Sequence, residues 1–223
     1  MLAEEKTDGR REAGQRTRRR LLEAARTLVA QHGRAGVTLR AITDCAEANV
    51  ASVSYHFGST EGLLQATIQE AVNALAEAQI EGLRGLGEDA SLAEIATVWA
   101  RPMIAAVSGP PSDEQQLIRT AARAATDPSP EFRDRVVSTA RRPDPELTAA
   151  LRRALPGLPE EELRFRMECA GGILYFMATG IMRVDLEAKS GAEVERLLVP
   201  AIAGALAGGP RSTGRGRSAT SRP

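Results

Sequence analysis

The 223-residue chain predicts an all-α protein: a small N-terminal three-helix unit followed by a larger helical body, about nine to ten helices in total. Three observations carry that prediction. The composition leans on helix formers, with 38 alanines and 22 leucines. Aromatic residues make up only 3%, where a sheet protein would use more Val, Ile, Tyr and Phe. Apolar residues recur at helical spacing between breaks marked by Gly and Pro, and no stretch alternates with period two over a strand length.

The elements follow in order. Residues 1–13 read as a flexible, solvated arm leading into the basic residues 14–40. From Gln15 the helical period starts, with Leu21, Leu22, Ala25, Leu28 and Val29 on one face, and Gly33 ends the helix. Thr38 is a natural N-cap for a short helix over Leu39–Ala46, and Asn49 for a second over Val50–Phe57. Ser59 caps a long helix with Glu61 in its first turn and Leu64, Ile68, Ala71, Val72 and Leu75 on one face. Further helices are expected at Leu92–Val107, Asp113–Ala125, Glu131–Arg142, Pro145–Leu155, Glu160–Asp185 and Ala192–Ala207, most of them separated by proline-rich loops. Residues 209–223 form a low-complexity, Arg-rich tail expected to be disordered.

Composition sets limits on function. Apolar residues make up 43% and charged residues 26%, ordinary for a soluble protein with a sizeable core. The longest near-continuous apolar run, Ala170–Met182, has 13 residues, and a membrane span needs about 20. The charged N-terminus has no apolar stretch of the kind a secretory signal needs. The two cysteines, Cys45 and Cys169, are far apart, which fits a reducing cytoplasm; Cys45 is expected to be half-buried. No HExxH, CxxC, Walker loop or GxGxxG occurs, so neither metal, cofactor nor enzymatic chemistry is expected. Net charge is zero but uneven: +5 over residues 1–40, −3 over 41–63, −6 over 64–208 and +4 over 209–223. Basic ends on a neutral chain hint at a polyanionic partner.

The informative stretch is TLRAITDCAEANVASVSYHFGSTEGLL, Thr38 to Leu64. It reads as helix, tight turn, helix. The first helix buries Leu39, Ile42 and Ala46; the second can bury Val50 and Val53, with Phe57 anchoring its end. Ala51, Ser52, Ser54, Tyr55 and His56 are left outside. That is helix-turn-helix geometry, whose second helix can lie in the major groove of DNA. Small polar side chains permit close approach: Ser can donate or accept at any base, and Ala can meet a thymine methyl.

These residues resemble the DNA-binding domain of tetracycline-repressor-like (TetR) regulators. The likeness covers about residues 15–68 and rests on RRRLLEAARTLVAQHG, GVTLRAI and NVASVSYHFGSTEGLL, the YHF-G-S-x-E-G-L-L run above all. The resemblance implies a DNA-binding head (14–63) on a ligand-binding and dimerisation body (64–208). It implies a homodimer on a palindromic operator, released by an unidentified, hydrophobic small molecule. It carries DNA contacts onto Thr38, Arg40, Val50, Ala51, Ser52, Ser54, Tyr55 and His56, with Asn49 and Thr60 at the adjoining helix starts. Three positions depart from the family pattern. Thr60 stands where a phosphate-binding Lys is usual. Glu47 stands where the turn usually has Gly, which adds strain of about 1 kcal/mol should the backbone need positive φ. Ala48 replaces a larger apolar residue. Weakened or lost DNA binding, with the ligand-binding function retained, is therefore the alternative reading.

In the body, Leu163, Met167, Ala170, Leu174, Met177, Ile181 and Val184 follow 4-3 spacing, an a/d seam that faces either a partner or the chain's own core. The resemblance favours dimerisation through the last two helices, with Leu174, Ile181, Leu198 and Ile202 at the interface. Large side chains are few, and Trp99, Met103, Phe132, Phe165, Phe176 and Met177 are the candidates for an apolar pocket. Arg101 and Arg119 either meet an anionic ligand or form ion pairs at the surface.

Overall fold

Side-chain caps start many of the helices in the computed structural model, which describes residues 2–110, 112–123, 130–179, 186 and 188–208. Among these residues there are ten α-helices and no strand. They are α1 (Leu2–His32), α2 (Leu39–Cys45), α3 (Val50–Phe57), α4 (Thr60–Arg84), α5 (Leu92–Val107), α6 (Asp113–Arg123), α7 (Pro130–Ala140), α8 (Asp144–Ala154), α9 (Glu160–Ala178) and α10 (Gly191–Ala207). A single 3-10 turn, Arg34–Gly36, joins α1 to α2. The expected tail 209–223, Ile181 and the last residues of the expected Glu160–Asp185 helix lie outside the described residues.

Three side-chain caps order the N-terminal unit. Thr38 Oγ1 accepts from the Ala41 N–H at 3.2 Å, Asn49 Oδ1 from Ala51 at 2.6 Å, and Ser59 Oγ from Gly62 at 2.9 Å. Each satisfies an otherwise orphaned helix donor and contributes about 1 kcal/mol. Gly33 closes α1 at φ +66°. The largest departure from expectation is at the N-terminus: α1 begins at Leu2, not near Gln15, so helix stands where a flexible arm over residues 1–13 is expected; other ends shift by smaller amounts. Residues 2–14 are rich in Ala, Glu and Arg, which favour helix without needing an apolar stripe.

The head buries Leu21, Leu22, Ala25 and Val29 of α1 against Ile42 and Ala46 of α2, Val53 of α3 and Leu63 of α4. Helix α4 then continues into the body, where Ile68, Val72, Ala76 and Leu83 are buried. It packs against α5, α6, α7 and α8, while α10 lies against α5 and α9. A tight contact joins α4 to α3: a Cβ on Gly62 would run into the Phe57 carbonyl oxygen, so only glycine fits.

The a/d seam faces inward. Leu163, Ala170, Leu174 and Met177 of α9 and Leu198 and Ile202 of α10 are buried within the chain. Leu174, Leu198 and Ile202 are therefore core residues rather than the interface residues expected. The reason is that α9 carries two apolar stripes. Its second, Phe165, Cys169, Gly172 and Phe176, recurs at i, i+4, i+7 and i+11 and stays exposed, with Phe165 at 68% and Phe176 at 52%. Beside it, α10 exposes Leu197, Pro200, Ala201 and Gly204.

Candidate nucleic-acid interface and ligand cavity

The turn between α2 and α3 is a Schellman C-cap. Ala48 N–H donates to the Thr43 carbonyl at 2.9 Å and Glu47 N–H to Asp44 at 3.3 Å. That motif needs a left-handed residue at its centre, and Glu47 supplies it at φ 45°, the one non-glycine with positive φ among the described residues. The cost for a side chain there is about 1 kcal/mol or more. Arg20 of α1 offsets it: its guanidinium donates to the Glu47 carbonyl at 2.8 Å and pairs with the Glu47 carboxylate at 3.2 Å. A strained glutamate is thus pinned by a cation from the neighbouring helix, which also tempers the negative charge it places beside the recognition surface. Arg20 escaped sequence reasoning because the contact spans 27 residues.

Helix α3 presents the predicted surface. Ala51, Ser54 and Tyr55 are exposed, Tyr55 at 84%, while Ser52 and His56 are half-buried and Val53 is core. Val50, which hydrophobicity alone would bury, is exposed at the first position of the helix. There it faces away from the α1–α2 core and joins the recognition set. Thr38, Asn49 and Arg40 are exposed around it, and Thr60 is half-buried at the start of α4. Arg40 makes only a loose pair with Asp44 at 3.7 Å, so its guanidinium is available. Tyr55 stacks edge-on against His56 with ring centroids 4.9 Å apart, and Arg18 lies 5.2 Å over the Phe57 ring. The Arg18–Phe57 contact holds the C-terminal end of α3 against α1. Cys45 is exposed rather than half-buried.

Arg34 couples this head to the body: it pairs with Glu61 in the first turn of α4 and lies 4.6 Å over the ring of Phe132, a fully buried residue of α7. Within the body, Arg142 pairs with Glu77 of α4. Phe132 is thus a seam residue and does not line the cavity below.

The body contains a cavity of about 450 Å³, between α4, α5, α6, α7, α8 and α9. Its floor is apolar and buried: Trp99, Met103, Leu147, Leu163 and Leu174. Its rim is polar: Arg141, Asp144, Arg164, Glu168 and Tyr175. Of the expected pocket residues, Trp99 and Met103 line it. Phe165 and Phe176 point outward on the second α9 stripe, and Met177 packs in the core away from the cavity. Arg101 is paired with Glu195 at 3.1 Å, which raises its pKa, and neither it nor Arg119 reaches the cavity. The rim residues escaped the sequence reading because they come from α7, α8 and α9 with no shared local pattern. Burial pushes the Asp144 carboxyl above its ordinary value, against the opposing pull of Arg141. Burial, and then the Asp144 charge, push the Tyr175 hydroxyl up to about 12, so Tyr175 stays protonated. No cluster of three metal-ligating side chains occurs among the described residues.

An exposed recognition helix on a capped three-helix head, carried by a hollow helical body, defines a helix-turn-helix DNA-binding regulator. Residues 21–67 match the family model described as bacterial regulatory proteins, tetR family, and residues 97–209 match the tetracyclin repressor-like C-terminal domain. The chain belongs to the TetR family of transcriptional regulators, and is not an enzyme. Solved structures share the fold. PfmR, a TetR-family regulator of Thermus thermophilus, is 19% identical at a TM-score of 0.59, covering 82% of this chain and 96% of its own. The fatty acid degradation regulator FadR of Bacillus halodurans is 12% identical at 0.65, covering 83% and 97%. The multidrug binding protein EbrR, solved with malachite green, is 18% identical at 0.57, covering 82% and 96%. No curated protein matches the sequence.

Proposed function

We propose that the chain is a ligand-released repressor that binds a palindromic operator as a homodimer in the cytoplasm. Residues 14–63 form the reading head and 64–208 the effector-binding and dimerisation body. The observation that carries this reading is the exposed face of α3, small and polar around Tyr55, backed by Arg40. Arg40, Ala51 and Ser52 read base edges; Tyr55, His56 and Thr60 meet phosphates.

The dimer forms through the exposed stripe Phe165–Phe176 of α9 beside Leu197 of α10, large apolar surface that a second copy would cover in an isologous contact. Two heads related by a two-fold axis then address half-sites about one DNA turn, ~34 Å, or a multiple apart. The effector occupies the body cavity; EbrR, a protein of the same fold, is known in complex with malachite green. Helix α7 connects the two functions: Val136 and Ala140 line the cavity, and Phe132 sits beneath Arg34. A ligand that displaces α7 changes the support of α4 and of the recognition helix, and release is reciprocal with ligand affinity. Helix α4 is the covalent bridge in that path.

Selection of random duplex DNA on the purified protein at near-physiological salt tests the reading. Recovery of a palindrome is the expected result. Binding that yields no consensus and vanishes as salt rises would overturn it. That result would favour the second reading, a ligand-binding protein with weakened DNA binding, for which the exposed Glu47 carboxylate and Thr60 speak.

A further inference from the structure

We propose that the effector is an apolar molecule of two to three ring units bearing a positive charge, which docks against Asp144 at the cavity rim. This deepens the reading of the cavity as the effector site and rests on it.

Size sets the apolar part. A cavity of about 150 Å³ holds one benzene, and this one offers about 450 Å³. Trp99, Met103, Leu147, Leu163 and Leu174 on its floor give such a body nothing to hydrogen-bond and much to pack against.

Charge sets the polar part. Five ionisable groups of full charge lie on the wall: Arg141, Asp144, Glu160, Arg164 and Glu168. Arg141 is taken up by Glu168 at 2.8 Å, and Glu160 by Arg152 outside the cavity. Asp144 and Arg164 have no hydrogen-bond or ion-pair partner for their side chains among the described residues. They are not equivalent. Arg164 is exposed to solvent; Asp144 is half-buried, facing the cavity at the first turn of α8. A half-buried carboxylate that makes no direct ion pair, and whose nearest cation Arg141 is committed to Glu168, is what a cation entering from the rim would relieve. Its raised pKa reports the same imbalance, since burial outweighs the help from Arg141. Tyr175, held protonated beside it, adds a neutral hydroxyl rather than a second anion. Trp99 on the floor offers an aromatic face, the ring type that best receives a cation. An anionic ligand meets the opposite arrangement: the nearer arginine is already paired, and the uncommitted inner charge repels it.

Three isosteric tricyclic probes separate the possibilities: 9-(aminomethyl)anthracene, 9-anthracenemethanol and 9-anthracenecarboxylate, each titrated calorimetrically into the full-length protein without DNA. The amine is expected to bind about 10- to 100-fold tighter than the alcohol, as one charge-assisted contact predicts, and the carboxylate weakest. Asp144→Asn should erase the preference, so that amine and alcohol bind alike, with folding followed by its unfolding midpoint. Gly171→Leu should abolish binding of all three, because Gly171 is a cavity residue whose Cβ would sit in ordinary contact, 3.9 Å, with the Trp99 ring. Equal affinity of amine and alcohol for the native protein, or tightest binding of the carboxylate, would overturn the charge assignment and leave the effector site standing. Failure of all three to bind would overturn both.

Discussion

The head and the body put their functional side chains in opposite places. In the head the candidate contact residues are the ones left outside: Ala51, Ser54 and Tyr55 project from a small, filled core. In the body the candidate site is a space, and its walls come from helices distant in sequence. A surface reader needs a rigid mount, which explains three side-chain caps and a pinned turn within about 25 residues. A ligand chamber needs packing that stops short, so its chemistry sits on rim residues that the core does not use.

Substitutions probe this division, beginning with the seam. Phe132→Ala removes a fully buried ring between α7 and Arg34. The expected loss is about 3–5 kcal/mol, read as a lower urea midpoint of one transition. Two separated transitions would show that head and body fold independently. Next come the exposed readers. Arg40→Ala and Tyr55→Ala should each weaken operator binding by about 1–3 kcal/mol, with stability changed by less than about 0.5 kcal/mol. Loss of the dimer on size exclusion would place these residues wrongly.

Arg34→Ala addresses the connection itself. It should lower the ligand-induced change in operator affinity by about 0.5–2 kcal/mol, measured as the ratio of operator dissociation constants with and without ligand. An unchanged ratio would remove Arg34 from the path. The smallest effect is expected in the turn. Glu47→Gly relieves a left-handed side chain but forfeits the Arg20 ion pair. The net gain should be at most about 1 kcal/mol in urea unfolding, with a steeper loss of DNA affinity as salt rises, since the carboxylate is gone and Arg20 is freed for a phosphate.

The head was largely legible in the sequence because its determinants are local. Thr38, Asn49 and Ser59 cap within two or three residues of themselves, and each does so as their spacing predicts. The unusual residue in the turn was visible too, since Glu47 occupies a place that asks for glycine. The body was legible as helices, Leu92–Val107 to the residue, but not as faces. Helix α9 is apolar on two sides, so spacing alone could not tell Leu174, which is core, from Phe176, which is surface. Nor could it find Asp144, which reads as an ordinary helix-start acid. The start of α1 was missed because a helix of charged residues and alanine leaves no apolar period to detect.

Gly62 has a mechanical consequence. Because its missing side chain lets the first turn of α4 bear directly on the Phe57 carbonyl, α3 and α4 meet in close contact. Helix α4 has 25 residues, a rod about 37 Å long at 1.5 Å per residue. Tilting such a rod by about 5° at its body end swings its other end by about 3 Å, close to the ~3.4 Å step between stacked base pairs. With a slack joint that swing would be absorbed before it reached the recognition helix. In the ligand-release reading proposed above, that close contact would pass a small rearrangement around the cavity on as a displacement of nearly one base pair at the DNA.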